Sequence, residues 1–431
     1  MKDLDRRHFL KTINSMAAGL STIPLLNPAW LDVLEEKLAV FNKSTPQDAA
    51  RDEDYWTHIQ QAFNPSPLYI NLENGYMSPQ PIKVMQAQLA NIQMINERTS
   101  FYMRRQAQDE VKGANQQIAA LAGVSTEELI ITRNTTEALD TVIAGIDFEA
   151  GDEAIMCDLD YSSMLQAFDQ QSRRLGLVTK YIKLPLHPDS DEQIVEIYRQ
   201  AITPKTKIIL VTHLNNITGM ILPVRKICDM AHEHGVEVIC DGAHSFAHLD
   251  YKIPDLHCDY FGASLHKWLC TPMGAGILYV KKEKINKVWP LFGDTNFPED
   301  DIRKFAHIGI HPVSTNLTVS NAIRFHNMIG AARKEARLKY LKQYWTEQVR
   351  DLASLTIHTP WDAYRASALV LISVDGYTPD ELVEALYEHY RIFTVARINP
   401  VVTGVRITPH LYTRIKELDA LVHALKAVCS N

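Results

Sequence analysis

The 431-residue sequence is short of the features that mark several specialised classes of chain. Its six cysteines, at 157, 228, 240, 258, 270 and 429, form no CxxC pair and no short regular spacing, which excludes a structural zinc ribbon and a dense disulfide scaffold. No run reaches the roughly 18 uncharged apolar residues that a membrane-spanning helix requires, so no membrane partner is expected. Positive charge is not in excess: 44 basic against 51 acidic side chains give a formal charge of −7, the wrong sign for a protein that neutralises phosphate backbones. No nucleic-acid partner is expected either. With only 18 Gly and 20 Pro, collagen-like and disordered chains are excluded. No strand-turn GxGxxG occurs, which removes a dinucleotide-dependent oxidoreductase. No His/Cys/Asp/Glu grouping has metal-ligand spacing, and no metal is expected. What remains is a 46% apolar globular chain, long enough for two or three domains.

The first residues read as an address. Asp5-Arg6-Arg7-His8-Phe9-Leu10-Lys11 followed by a weakly apolar run through Leu26 resembles a twin-arginine export signal, a receptor-read segment set aside from fold reasoning. The competing reading is an ordinary amphipathic helix with two solvated arginines, and Asn27-Pro28-Ala29-Trp30 is not a clean small-x-small cleavage end. The expected division is therefore a signal over 1–30, a linker and pocket-lining segment over 31–83 with the folded unit starting near Asp54, a large domain over 84–325 and a small domain over 326–431. Export to the periplasm or beyond is expected from the signal; without it the chain is cytoplasmic.

From about 84 to 325, helical stretches alternate with short β-branched runs. Strands are expected at Leu129–Thr132, Ala154–Cys157, Ile208–Thr212, Val236–Cys240, Tyr260–Ala263 and Gly276–Val280, with helices such as Thr136–Gly145 and Arg225–His234 between them. Continuous apolar runs separated by helices suit a mostly parallel sheet covered on both faces, an α/β architecture. Beyond 326, a charged helix over about 327–355, strands near Ala368–Val374 and Gly404–Ile407 and a last helix from Lys416 predict a smaller α+β domain.

Open α/β sheets bind ligands outside the carboxyl ends of their strands. One predicted strand delivers Asp241, in Cys240-Asp241-Gly242-Ala243-His244, where a semi-buried carboxylate needs a cation. Another ends in Ser264-Leu265-His266-Lys267-Trp268, a hydroxyl, an imidazole and an amine within four positions. A lysine partly desolvated there has a lowered pKa and suits Schiff-base chemistry. Taken singly, a helix-capping Asp and a surface Lys are the plainer readings; together they weaken greatly.

Asp241-Gly242-Ala243-His244 followed by Ser264-Leu265-His266-Lys267 closely resembles the core of class V aminotransferase-fold enzymes, which use pyridoxal 5′-phosphate (PLP). Within them the chain is similar to the isopenicillin-N-epimerase-like and cysteine-desulfurase-like branch over about residues 65–425. The resemblance implies a PLP-dependent transferase fold of type I, with a large domain built on a mostly parallel sheet and a smaller α+β C-terminal domain. It makes Lys267 the Schiff-base lysine, Asp241 the partner of the pyridine nitrogen, His244 a ligand of the cofactor's 3′-oxygen, and Ser264 and His266 phosphate ligands. Thr135 and Thr136, after the strand ending at Thr132, match a helix start that holds phosphate. Asn216 matches a 3′-oxygen contact. Tyr161 falls where the family stacks an aromatic ring on the pyridine, and would return a proton. Arg406 matches the arginine that receives the substrate carboxylate, and Asn74 lies in the segment lining the substrate side. A homodimer is implied.

Two departures qualify the resemblance. Desulfurases carry a thiol on the loop before the substrate arginine, whereas Ala396-Arg397-Ile398-Asn399-Pro400-Val401-Val402-Thr403-Gly404 has none. Gly309-Ile310 replaces the Gly-Thr pair whose hydroxyl reaches a neighbouring subunit's phosphate; Ser314, Thr315 or backbone N–H groups are left to substitute. The expected function is action at the α/β carbon of an amino acid by an epimerase- or lyase-type enzyme. The alternatives are a class V aminotransferase and, in another class, a PLP-fold binding protein without catalysis.

Overall fold

A computed structural model describes residues 44–430. The export signal expected at 1–30 lies outside the described residues, as does the first part of the linker. The next residues are structured earlier than Asp54, where the sequence suggested that folding starts. Thr45 caps a helix over Pro46–Arg51, its hydroxyl accepting the Asp48 N–H at 3.1 Å. Ala49 and Ala50 are buried on that helix, and their small side chains let it close on the helix Ala331–Thr346. Arg337, fully buried on the latter, donates to Ala50 O at 2.9 Å, pairs with Glu53 and lies 5.2 Å above the Trp56 ring. The polar composition of this stretch hid a pair of alanines that only tertiary packing reveals.

The strands are β1 (Ile70–Asn71), β2 (Leu129–Thr132), β3 (Glu153–Cys157), β4 (Val178–Ile182), β5 (Thr206–Thr212), β6 (Glu237–Asp241), β7 (Tyr260–Ser264), β8 (Gly276–Val280), β9 (Leu355–Ile357), β10 (Val370–Val374), β11 (Ile392–Phe393), β12 (Val395–Ile398) and β13 (Thr403–Ile407). Seven of them form one sheet in the order β2-β8-β7-β6-β5-β3-β4, with β8 antiparallel to both neighbours and the others parallel. This is the expected α/β fold with a mostly parallel central sheet. Strands β2, β7 and β8 are buried at every position, as apolar runs covered on both faces should be. The edge strand β4 was not expected from sequence. Its Val-Thr-Lys-Tyr-Ile run has one buried position, two half-buried and two exposed, so it lacks the apolar run that identifies its neighbours.

A second sheet, β12-β13-β10-β9, is antiparallel throughout and packs its inner face on the helices Ala331–Thr346, Pro379–Tyr390 and Ile415–Val428. The helix expected over 327–355 is instead two, Val313–Ile329 and Ala331–Thr346. Gly330, at φ +86°, breaks the run because it adopts a conformation that suits glycine and interrupts the α-helix. The short pair β1–β11 carries residues 70–73 alongside this second sheet, and a parallel bridge joins Glu73 to Thr408.

The two sheets meet at the turn that follows β5. Asn215 holds it by accepting the N–H groups of Ile217 and Thr218 at 3.0 and 2.9 Å. Gly219 sits there at φ +71°, and a Cβ on it would stand 2.0 Å from the Leu369 carbonyl oxygen. Gly219→Ala therefore meets both a left-handed backbone and a backbone clash. It should cost on the order of 2–4 kcal/mol, read as a shift in the urea midpoint without a change in slope.

Candidate active site

The carboxyl ends of the parallel strands β2, β3, β5, β6 and β7 lie along one edge of the central sheet, and each is followed by residues singled out from sequence. Register pairs Thr212 with Asp241 and Asp241 with Gly262, so β5 and β6 end level and β7 runs two residues further, to Ser264. Asp241 is the last residue of β6 and only 2% exposed. Its Oδ1 accepts the Ala243 N–H at 2.9 Å, and burial raises its pKa while the charge of Lys267 lowers it. Behind it lies a second buried carboxylate, Asp160, which accepts from Thr212 Oγ1 at 2.6 Å and Cys157 N at 2.8 Å; burial pushes its pKa up to about 7.

Lys267 Nζ stands 3.0 Å from His244 Nε2. Burial lowers the lysine's pKa to about 8, with Asp241 and Glu73 opposing and Arg406 and Arg397 reinforcing the shift. His244 is also drawn well below the usual imidazole range, by burial first and then by the charge of Lys267. Its Nδ1 accepts from the Trp268 indole at 3.5 Å. Because an indole only donates, Nδ1 is the unprotonated nitrogen and the ring proton sits on Nε2, turned toward the lysine lone pair. The amine thus reaches its neutral, nucleophilic form about two pH units earlier than an ordinary lysine. Its loop is clamped from the far half of the chain: Lys334, buried on the helix Ala331–Thr346, donates to the Trp268 carbonyl, and Cys270 follows at φ +58°.

On the β2–β7 side, Thr135 opens the helix Thr135–Gly145. Its N–H donates to Ser264 Oγ at 2.9 Å and the two hydroxyl oxygens are 2.7 Å apart. Thr136 is the next helical residue, half-buried, and Asn134 caps the helix through the Glu137 N–H. Gly276 brings β8 close to this helix start; a Cβ there would lie 2.6 Å from Asn134 Cα. His266 is half-buried, its Nδ1 buried without a hydrogen-bond partner, and burial lowers its pKa to about 4. Helix N-terminal N–H groups, hydroxyls and a neutral imidazole donor form a set suited to an anion such as phosphate.

The opposite side holds Tyr161, Asn216 and Arg406. Tyr161 caps the helix Ser162–Leu175 and is 42% exposed. Asn216 Oδ1 is buried and unpartnered, while its carbonyl accepts from Arg406 Nη1 at 2.8 Å. Arg406 is only 1% exposed, and its fork is already occupied: Nη2 pairs with Glu73 Oε1, and Nε reaches Glu73 Oε2 at 3.3 Å. Asn74 does not face this space. It is fully buried, its Nδ2 donating to Thr408 O at 2.8 Å and its Oδ1 accepting from Tyr412 Oη at 2.6 Å. The pocket residue of that segment is Glu73, and its partner Arg397 stands with Nη2 3.9 Å from Glu73 Oε1. Neither was singled out from sequence, because nothing in Asn71-Leu72-Glu73-Asn74 says which side chain turns inward. Asp160, Trp268 and Lys334 were equally silent.

Residues 77–398 match the family described as aminotransferase class-V. The chain belongs to the class V aminotransferase family. It is 26% identical over 390 residues to isopenicillin N epimerase from Amycolatopsis lactamdurans, a match spanning 86% of this chain and 98% of that protein. It is 28% identical over 394 residues to a probable cysteine desulfurase from Halalkalibacterium halodurans, spanning 85% and 95%. In fold it is similar to the apo cysteine desulfurase of Thermococcus onnurineus NA1, with a TM-score of 0.78 and 22% identity over 88% of this chain and 98% of that one. A cystine C–S lyase in complex with cysteine persulfide gives a TM-score of 0.75 at 21% identity, covering 83% and 97%.

Class V aminotransferases are PLP-dependent enzymes, and the residues of this family member fit that cofactor. A half-buried amine that deprotonates near pH 8 suits the aldehyde, and the buried Asp241 calls for a cationic ring nitrogen. The unpartnered Asn216 Oδ1 and His266 Nδ1 call for polar ligand atoms. The amine's depressed pKa has a direct consequence, since only neutral amine attacks an aldehyde. Uptake of PLP by cofactor-free protein should rise about tenfold between pH 7 and 9, with its midpoint near 8. Rebinding followed by visible absorbance across pH checks this. A midpoint near the ordinary lysine value contradicts the environment described.

Proposed function

We propose that the protein is an epimerase- or lyase-type enzyme acting at the α/β carbon of an amino acid, with Lys267 as the base. The observation that carries the reading is the Lys267 amine, its pKa drawn down to about 8, 3.0 Å from His244 and beside the buried Asp241, facing a guanidinium pair and no thiol among the described residues. When bound, PLP supplies an electron sink for negative charge developing at the α-carbon. Asp241 would hold the ring nitrogen, Thr135, Thr136, Ser264 and His266 the phosphate, and His244 and Asn216 the 3′-oxygen side. The cationic edge formed by Arg397 beside the Glu73-paired Arg406 orients the substrate carboxylate. Lys267, with a pKa of about 8, accepts the α-proton near neutral pH. Tyr161, at the start of the helix that follows β3, is assigned the returning proton that would invert the centre.

The cysteines favour this over persulfide chemistry. The Ala396–Gly404 stretch carries none, and Cys270, three residues after Lys267, is buried with its thiol pushed up to about 11 by burial. Transamination stays the alternative for the same constellation, and a non-catalytic binding protein the alternative of another class. The family's homodimer and twin-arginine export belong to the proposal. Helix Ile82–Arg105 exposes Met85, Leu89 and Ile92 at i, i+4, i+7 spacing, an apolar stripe suited to a second copy, and Ile310 is 89% exposed.

Incubating the holoprotein with a panel of amino acids in D₂O separates the outcomes. α-Deuteration with inversion identifies an epimerase, release of a β-substituent a lyase, and keto-acid release an aminotransferase. Lys267→Ala should abolish all three while melting as the parent does. PLP-loaded protein that exchanges no α-proton with any of them is the non-catalytic case. Tyr161→Phe should lower inversion by about 10²–10⁴-fold while sparing α-proton removal.

A further inference from the structure

Every charge beside Lys267 on the substrate side can be counted. Arg406 on β13 and Arg397 on β12 are two permanent cations, and each lowers the lysine's proton affinity. Glu73 is the one carboxylate among the described residues that faces them. It is not a loose counter-ion. Its Oε1 accepts the Tyr76 N–H at 2.9 Å, its backbone is bridged to Thr408, and it grips both Nε and Nη2 of Arg406. Gly75 closes over the pair, since a Cβ on it would stand 2.5 Å from Arg406 Nη2. Arg406, at 1% exposure, is thus satisfied from within.

Arg397 is not. Its side chain is 28% exposed, its Nε is buried without a hydrogen-bond partner, and its only carboxylate contact is the 3.9 Å approach to Glu73. The strand that carries it is tied toward Tyr161 by Asn399, whose Nδ2 donates to Asp158 O at 3.0 Å. Burial first and the nearby Arg406 second pull its pKa down to about 10, with Glu73 opposing. Two cations and one fixed anion leave a single positive charge, and it is carried by Arg397.

We propose that Glu73 sets the charge of the substrate: by pairing Arg406 internally it leaves Arg397 as the docking cation, so the pocket takes amino acids with one carboxylate and turns away those with two. This rests on the reading of the pocket as an amino-acid site and names the substrate class within it. A second carboxylate on the ligand would have to compete with Glu73 for Arg406, against a bidentate intramolecular partner and with an anion left buried if it won.

The test compares propionate and succinate, which carry one and two carboxylates and undergo no reaction, binding to the holoprotein by calorimetry. In the parent protein succinate binds no more than about threefold tighter than propionate; Glu73→Gln tightens both, succinate at least about tenfold more than propionate. Arg397→Gln weakens propionate at least about tenfold, and Arg397→Lys recovers part of it. An unchanged preference in Glu73→Gln overturns the proposal. So does undiminished propionate binding by Arg397→Gln, which would place the carboxylate on Arg406 with Glu73 displaced. If Glu73→Gln does not fold, the Arg397 pair decides by itself. The visible absorbance that borohydride bleaches reports separately on the Lys267 reading, so its loss with the carboxylate preference intact would sink that reading and spare this one.

Discussion

Making an amine easier to deprotonate than water would allow is the constraint around which this molecule is arranged. Water would hold Lys267 protonated well above neutral pH; burial removes part of that solvation, and His244 Nε2 stands 3.0 Å from the amine. The imidazole is itself neutral, which its own burial and the indole of Trp268 ensure. Two arginines on the far side push in the same direction. Asp241 and Glu73 oppose them, and the balance leaves the lysine near 8 rather than far lower. A group poised there is a usable nucleophile and a usable base in the same pH range.

The parallel sheet was legible because its strands are unbroken apolar runs. β2 and β8 coincide with the expected spans, and β3, β5, β6 and β7 differ by one or two residues at their ends. Strand ends were also where chemistry was sought, which is why Asp241, Ser264 and Lys267 were visible at once. Side-chain direction was not. Asn74 and Glu73 are neighbours in sequence, yet the polar amide is spent on Thr408 and Tyr412 while the carboxylate meets Arg406. That choice depends on the pairing of β1 with β11, two strands more than three hundred residues apart. The breaking of the 313–346 helix at Gly330 and the edge strand β4 were hidden for a related reason, since both are settled by what packs, or does not pack, against them.

Membership of the class V aminotransferases brings the cofactor and the scaffold, whereas the reaction depends on groups that vary within it. The 396–404 stretch of this chain carries no cysteine and does carry Arg397. Arg397 and Arg406 place two permanent charges in the pocket, and Glu73 stands against both.

The clamp on the lysine loop joins remote parts of the chain. Lys334 reaches the Trp268 carbonyl from a helix whose other buried faces support Pro46–Arg51 and the second sheet. The reacting amine therefore has its address written in two widely separated stretches of sequence. Exchanging the C-terminal third for that of a relative would transplant a substrate-side lining and, with it, one of the struts that aims the nucleophile. Recombination among such enzymes is accordingly expected to succeed where the helix and the loop travel together.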